Sequence, residues 1–161
     1  MEKILMQDLI KHKLHYHHRA PPQPINIYAA TLRRLVDEML PKINKLLKKM
    51  EEEETTTISF RKTVNKTISN RCNWGRVLSI YAFAAALVMK LPPCKEAANW
   101  ARHLSFQAYA MRLHQTPPRI FDYHELLRVF IKIASEHAET KLAPWISEHG
   151  GWDAFHKKFS Q

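Results

Sequence analysis

Apolar positions recur every three to four residues along almost the whole chain and no stretch alternates strictly, so the pattern predicts an all-α protein. From Glu2 to about His18, the pairs Leu5/Leu9, Met6/Ile10 and Ile10/Leu14 make one amphipathic stripe, and Pro21, Pro22 and Pro24 end it. A second helix begins near Ile27 and carries Tyr28, Leu32, Leu35, Val36, Met39 and Leu40. Past Pro41 the same spacing continues in Ile43, Leu46, Leu47 and Met50, either as a kinked continuation or as a separate short helix. Glu51 to Glu54 and Thr55 to Thr57 read as a solvated turn, with Thr57 placed to cap a helix bearing Phe60, Val64 and Ile68.

The stretch NWGRVLSIYAFAAALVM, residues 73–89, breaks the amphipathic pattern. After an Asn-Trp-Gly-Arg corner, only Ser79 is polar among the next thirteen residues. Asn73 suits an N-cap, and Lys90-Leu91-Pro92-Pro93 closes the segment. A helix that is apolar all round belongs at the centre of a bundle, so residues of about 74–91 are expected to form a buried core helix around which the others pack. Trp100, Leu104, Ala108 and Met111 mark a further helix, ended by Pro117-Pro118. Asp122 and Glu125 are spaced as a capping box before a long helix through Leu126, Leu127, Phe130, Ile133, Ala134 and His137. Pro144 fits the first turn of a separate short helix, WISEH, which Gly150-Gly151 would end through a left-handed cap. A last helix runs from Trp152 to about Phe159, and the 161 residues are expected to make one domain.

Composition narrows the function. Only three glycines occur where average usage would give roughly eleven, and all sit at Gly75 or Gly150-Gly151, which leaves none for a phosphate-cradling loop. No GxSxG, HExxH or paired-cysteine motif is present either, so catalysis is not expected, nor any cofactor. Two cysteines, Cys72 and Cys94, give neither a disulfide framework nor a zinc site and fit a reducing intracellular setting. His12, His15, His17 and His18 invite a metal, but with no supporting cysteine or carboxylate pattern they read as a solvated basic helix end. The N-terminus mixes charges into its apolar residues, unlike a signal peptide, and Val77 to Met89 is too short to cross a bilayer. A net charge of +10 favours an acidic partner. Lys42, Lys45, Lys48, Lys49, Arg61, Lys62 and Lys66 read first as a solvated face and second as an attraction to anionic lipid or acidic ligands. Nucleic acid ranks last, because no recognition helix accompanies them.

Four segments together resemble the homology motifs of the Bcl-2 family of apoptosis regulators. NWGRVLSIYAFAAAL is similar to the first motif and APWISEHGGWDAF to the second, while ILMQDLIKHKL and LRRLVDEM are similar to the fourth and third. The resemblance implies a Bcl-2-like helical bundle with a surface groove for the amphipathic BH3 helices of pro-apoptotic proteins. There are departures. The span from Trp74 to Trp145 is longer than the family's, with an extra helical insertion at about 92–120, and the span from Leu32 to Trp74 is shorter. Val36 stands where the third motif has a small residue, and the sequence closes at Gln161 without the apolar tail that anchors many members on mitochondria.

A ligand helix of that kind presents apolar anchors and one acid. Arg76 is the expected partner of the acid, Gly75 leaves room for the ligand backbone, and Asn73 both caps the helix and offers an amide. Met39, Ile43, Leu46 and Leu47 are candidates for one wall, with Val64, Ile68, Val77, Leu78 and Tyr81 below. Trp74, Trp145 and Trp152 are assigned to packing, with Gly150 and Gly151 as backbone pivots, and Leu32 and Asp37 mark the third motif.

Within the family two roles compete. A pro-survival member sequesters Bim-like or Bak/Bax-like BH3 helices, while a Bax, Bak or Bok-like effector releases its own third-motif helix and permeabilises the mitochondrial outer membrane. GRVLSIYAFAAAL and Val36-Asp37-Glu38 have an effector character. Tyr28, Leu32, Leu35 and Met39 keep ligand-like spacing, but a branched Val36 would weaken that helix as a ligand, and a missing tail handicaps a pore former. The pro-survival reading is preferred, in the cytoplasm with association to the anionic mitochondrial surface, and apolar groove surface also favours a homodimer.

Overall fold

A computed structural model of the chain describes residues 1–15, 22–50, 57–69, 71–89 and 123–160. Among the described residues the elements are six helices: α1 (Glu2–His15), α2 (Ile27–Met50), α3 (Thr57–Ser69), α4 (Trp74–Met89), α5 (Tyr123–Glu148) and α6 (Gly151–Phe159). The expected all-α bundle is what the chain forms. α4 is its axis, buried from Ile80 to Val88, with Ala82, Ala84, Ala85 and Ala86 allowing neighbouring helices close approach. α1, α2 and α3 lie against α4, and α5 packs mainly on α1. The last turns of the expected first helix, the acidic turn, Asp122 and the 92–120 insertion with its helix near Trp100 fall outside the described residues.

Two prolines lie inside helices. Pro41 leaves α2 continuous to Met50, which decides between the two alternatives. Pro144 sits within α5, which runs unbroken to Glu148, so the separate WISEH helix is corrected. A helical proline frees the carbonyl four residues earlier, here those of Asp37 and Thr140. Both of those residues and both prolines are exposed, so each proline lies on a solvent-facing side of its helix, where the loss of one amide is tolerated. The chain turns instead at Gly150 and Gly151, at φ 87° and 66°.

Polar ties set the helix directions. Arg33 pairs with Asp8 and Lys13 with Asp37, at sequence separations of 25 and 24, so α1 and α2 run parallel. Tyr28 bonds Asp153, Thr31 meets His156, and Arg34 donates to the Phe159 carbonyl, all at a separation of 125. Hence α6 also runs parallel to the first half of α2, with the Arg34 guanidinium capping its last turn.

Candidate functional site

The Asn-Trp-Gly-Arg corner splits into a packed side and an open side. Asn73 caps α4: its Oδ1 accepts from the Arg76 amide at 2.9 Å and its carbonyl from the Val77 amide at 3.0 Å. On the packed side Trp74 lies edge-on to Trp145 at 5.1 Å and against Phe155 at 5.4 Å and Trp152 at 6.1 Å. Trp152 Nε1 donates to the Glu2 carboxylate at 3.2 Å, and Trp145 stacks on His149 at 4.1 Å. These rings bind the corner to α5, α6 and the start of α1.

On the open side are Asn73 and Gly75, both exposed, and a half-buried Arg76. A Cβ at Gly75 would stand 3.2 Å from Asn73 Oδ1, so glycine also makes room for the cap. The Arg76 guanidinium rests on backbone: Nη1 donates to the Arg71 carbonyl at 3.0 Å and the Thr67 carbonyl at 3.3 Å. Among the described residues no carboxylate pairs with it.

α2 and α3 both pack on α4 with few contacts between them among the described residues, so the space between these two helices over α4, with Arg76 near the start of α4, is the candidate groove. The candidate wall and floor residues fall into two groups. Leu46 is 56% exposed, and Met39 and Ile68 are half-buried. Ile43, Leu47, Val64, Val77 and Leu78 are buried beneath them. Tyr81 is turned elsewhere: its hydroxyl donates to the Glu2 carbonyl at 3.1 Å, and burial pushes the phenol well above its ordinary range. Leu32 is buried, and Asp37 is engaged by Lys13. Lys42, Lys45, Lys48, Lys62 and Lys66 are exposed on the two flanking helices. Sequence reasoning missed the carbonyls of Thr67 and Arg71 and the residues tying α2 to α6. A carbonyl is common to every residue and carries no signature.

Among the described residues no three His, Cys, Asp or Glu side chains gather as a metal would require; those of His15, His17 and His18 lie outside them. No helix among them is long and apolar enough to cross a membrane.

The family model described as apoptosis regulator proteins, Bcl-2 family, matches residues 32–152. Apoptosis regulator R11 of Xenopus laevis is 25% identical over 103 residues, covering 64% of this chain and 37% of that protein. Bcl-2-like protein 1 of Rattus norvegicus is 26% identical over 97 residues, covering 60% and 30%. Apoptosis regulator BAX of Rattus norvegicus is 23% identical over 137 residues, covering 83% and 57%. The chain thus spans about a third of the length of the first two relatives and little more than half of the third. The zebrafish pro-survival protein NRZ, solved as a complex with Bad BH3, superposes with a TM-score of 0.65 at 19% identity, over 98% of this chain and 91% of that one. NRZ solved alone gives 0.59, also at 19% identity, over 98% and 93%.

Proposed function

Since the chain belongs to the Bcl-2 family of apoptosis regulators, we propose that it is a pro-survival member that sequesters the BH3 helices of death-promoting proteins in the gap between α2 and α3. The observation that carries this reading is Arg76, a half-buried guanidinium at the end of that gap with no carboxylate partner among the described residues. A ligand helix lays its apolar residues over Leu46, Met39 and Ile68 and sets its acid on Arg76, a charge-assisted contact worth about 1.5–3 kcal/mol. Gly75 and Asn73, open on the same side, allow the ligand backbone to come close. The fold shared with NRZ, whose complex holds Bad BH3, supports a BH3 ligand. The ties from α2 to both α1 and α6 favour a helix that stays in place as a groove wall. The exposed lysines draw the protein to the anionic outer mitochondrial membrane, where its partners act.

The likeness to BAX over 83% of the chain favours a second reading, an effector that permeabilises that membrane. Fluorescence-anisotropy titration of labelled Bim, Bid, Bad, Noxa, Bak and Bax BH3 peptides, against the protein and its Arg76→Ala variant, tests the first. Selective binding that weakens about tenfold or more in the variant is expected, a loss of about 1.4 kcal/mol or more. No binding to any peptide, together with dye release from mitochondria-like liposomes, would leave the effector reading standing in its place.

A further inference from the structure

Arg71 is the non-glycine residue with a positive φ, 56°, among the described residues, and it lies where α3 gives way to α4. A left-handed conformation is strained for an L-residue other than glycine, so something in the surroundings fixes it there. Its side chain is exposed. Its carbonyl accepts from Arg76 Nη1 at 3.0 Å, and Thr67, in the last turn of α3 where carbonyls outrun their amide partners, gives a second acceptor at 3.3 Å. A guanidinium is a rigid planar fork of five N–H donors. With Nη1 committed to these two carbonyls, its plane is set, and the edge formed by Nε and Nη2 is the one left for a carboxylate to meet side-on.

We propose that the left-handed corner at Arg71 is a positioning device for the ligand's acid: by holding Nη1 on two backbone carbonyls it presents the Nε and Nη2 edge of Arg76 as a preformed carboxylate receptor. This rests on the groove reading above and deepens it. The partner is a helix with a carboxylate over Arg76, and preference for the acid over its amide depends on the backbone at residue 71 as well as on the charge at 76. Preorganisation of this kind raises affinity by removing the cost of fixing the side chain at the moment of binding.

The test uses two substitutions that remove the same exposed charge. Arg71→Gly keeps the left-handed conformation free of strain, whereas the branched side chain in Arg71→Val drives the backbone out of it. The probes are the Bad BH3 peptide and the same peptide with its groove-facing aspartate replaced by asparagine. The native protein and Arg71→Gly are expected to prefer the acid form by about tenfold or more, and Arg71→Val by no more than about threefold, through weaker binding of the acid form. A merely structural role would weaken both peptides equally. Arg76→Lys keeps residue 71 and a cation at position 76 while removing the planar fork that the two carbonyls hold, and so serves even if Arg71→Val fails to fold. An ammonium cannot hold two carbonyls and a carboxylate edge in one plane, so its acid preference is expected to fall close to that of Arg76→Ala. Full acid preference in Arg71→Val or in Arg76→Lys overturns the positioning role while leaving the groove intact. A native protein that binds neither peptide overturns the groove reading, and the positioning role with it.

Discussion

The Arg33 guanidinium grips both carboxylate oxygens of Asp8, Nε at 2.9 Å and Nη2 at 2.8 Å, with both side chains sealed between α1 and α2. Nη1 of the same arginine donates to the Pro22 carbonyl at 2.6 Å, so it also fixes the chain just ahead of α2. Removing one member strands a desolvated charge. Asp8→Ala is expected to cost about 3–5 kcal/mol in urea unfolding followed by circular dichroism, and the paired change Asp8→Leu with Arg33→Met to restore most of it. An Asp8→Ala protein of native stability would show that the pair is not closed to water.

His12 sits beside that pair, with Nδ1 buried and unpartnered among the described residues. Burial holds its imidazole below the ordinary 6.5, the nearby Arg33 and Lys13 cations lower it further, and Asp37 and Asp8 oppose them. The folded state therefore favours neutral His12. That contribution is present above about pH 6.5 and is lost as pH falls through the lower folded value, because the unfolded chain takes up its proton first. His12→Gln is expected to lose less stability than the native protein between about pH 7.5 and 5.5, read as the shift in urea midpoint. Equal shifts would remove His12 from the account.

Gly150 and Gly151 are both left-handed but differ in surroundings. A Cβ at Gly150 would stand 2.9 Å from the Ala154 Cβ, whereas one at Gly151 would meet nothing within 4 Å. Gly151→Ala is expected to cost about 1 kcal/mol from backbone strain alone, and Gly150→Ala about 1–2 kcal/mol more, because the start of α6 must also shift. The order of the two thermal midpoints is the check, and a reversed order contradicts the packing.

Arg34 closes the last turn of α6 from α2, with Nη2 2.5 Å from the Phe159 carbonyl. Arg34→Ala is expected to raise amide exchange in residues 156–160 several-fold while leaving α4 protected, as hydrogen-exchange mass spectrometry would resolve. Uniform protection in both proteins would mean that α6 is held by Trp152 and Phe155 without help from its cap.

The sequence made the core helix and its corner visible because each has a local signature: an uninterrupted apolar run, a capping asparagine, and glycines only where the backbone needs them. Pro144 misled because proline at a helix start and proline on the wet face of a longer helix look alike in sequence; what separates them is the exposure of Thr140, a property of the fold. Tyr81 was ambiguous for a related reason. A helix that is apolar all round has no phase, so nothing in its sequence tells the face toward α2 and α3 from the face toward Glu2. The partners of Arg76 were out of reach altogether, being backbone carbonyls brought together by a left-handed residue that is an ordinary arginine by name.

The bond from Trp152 to Glu2 spans 150 positions, and with it the start of α1 is completed by a residue synthesised long after it. Emerging from a ribosome at about 5–20 residues per second, the chain exposes α4 for several seconds before α6 exists to cover Trp74. During that interval the most apolar segment of the protein lacks one of its covers, so the growing chain passes through a stage in which an unfinished bundle presents its core helix to its surroundings.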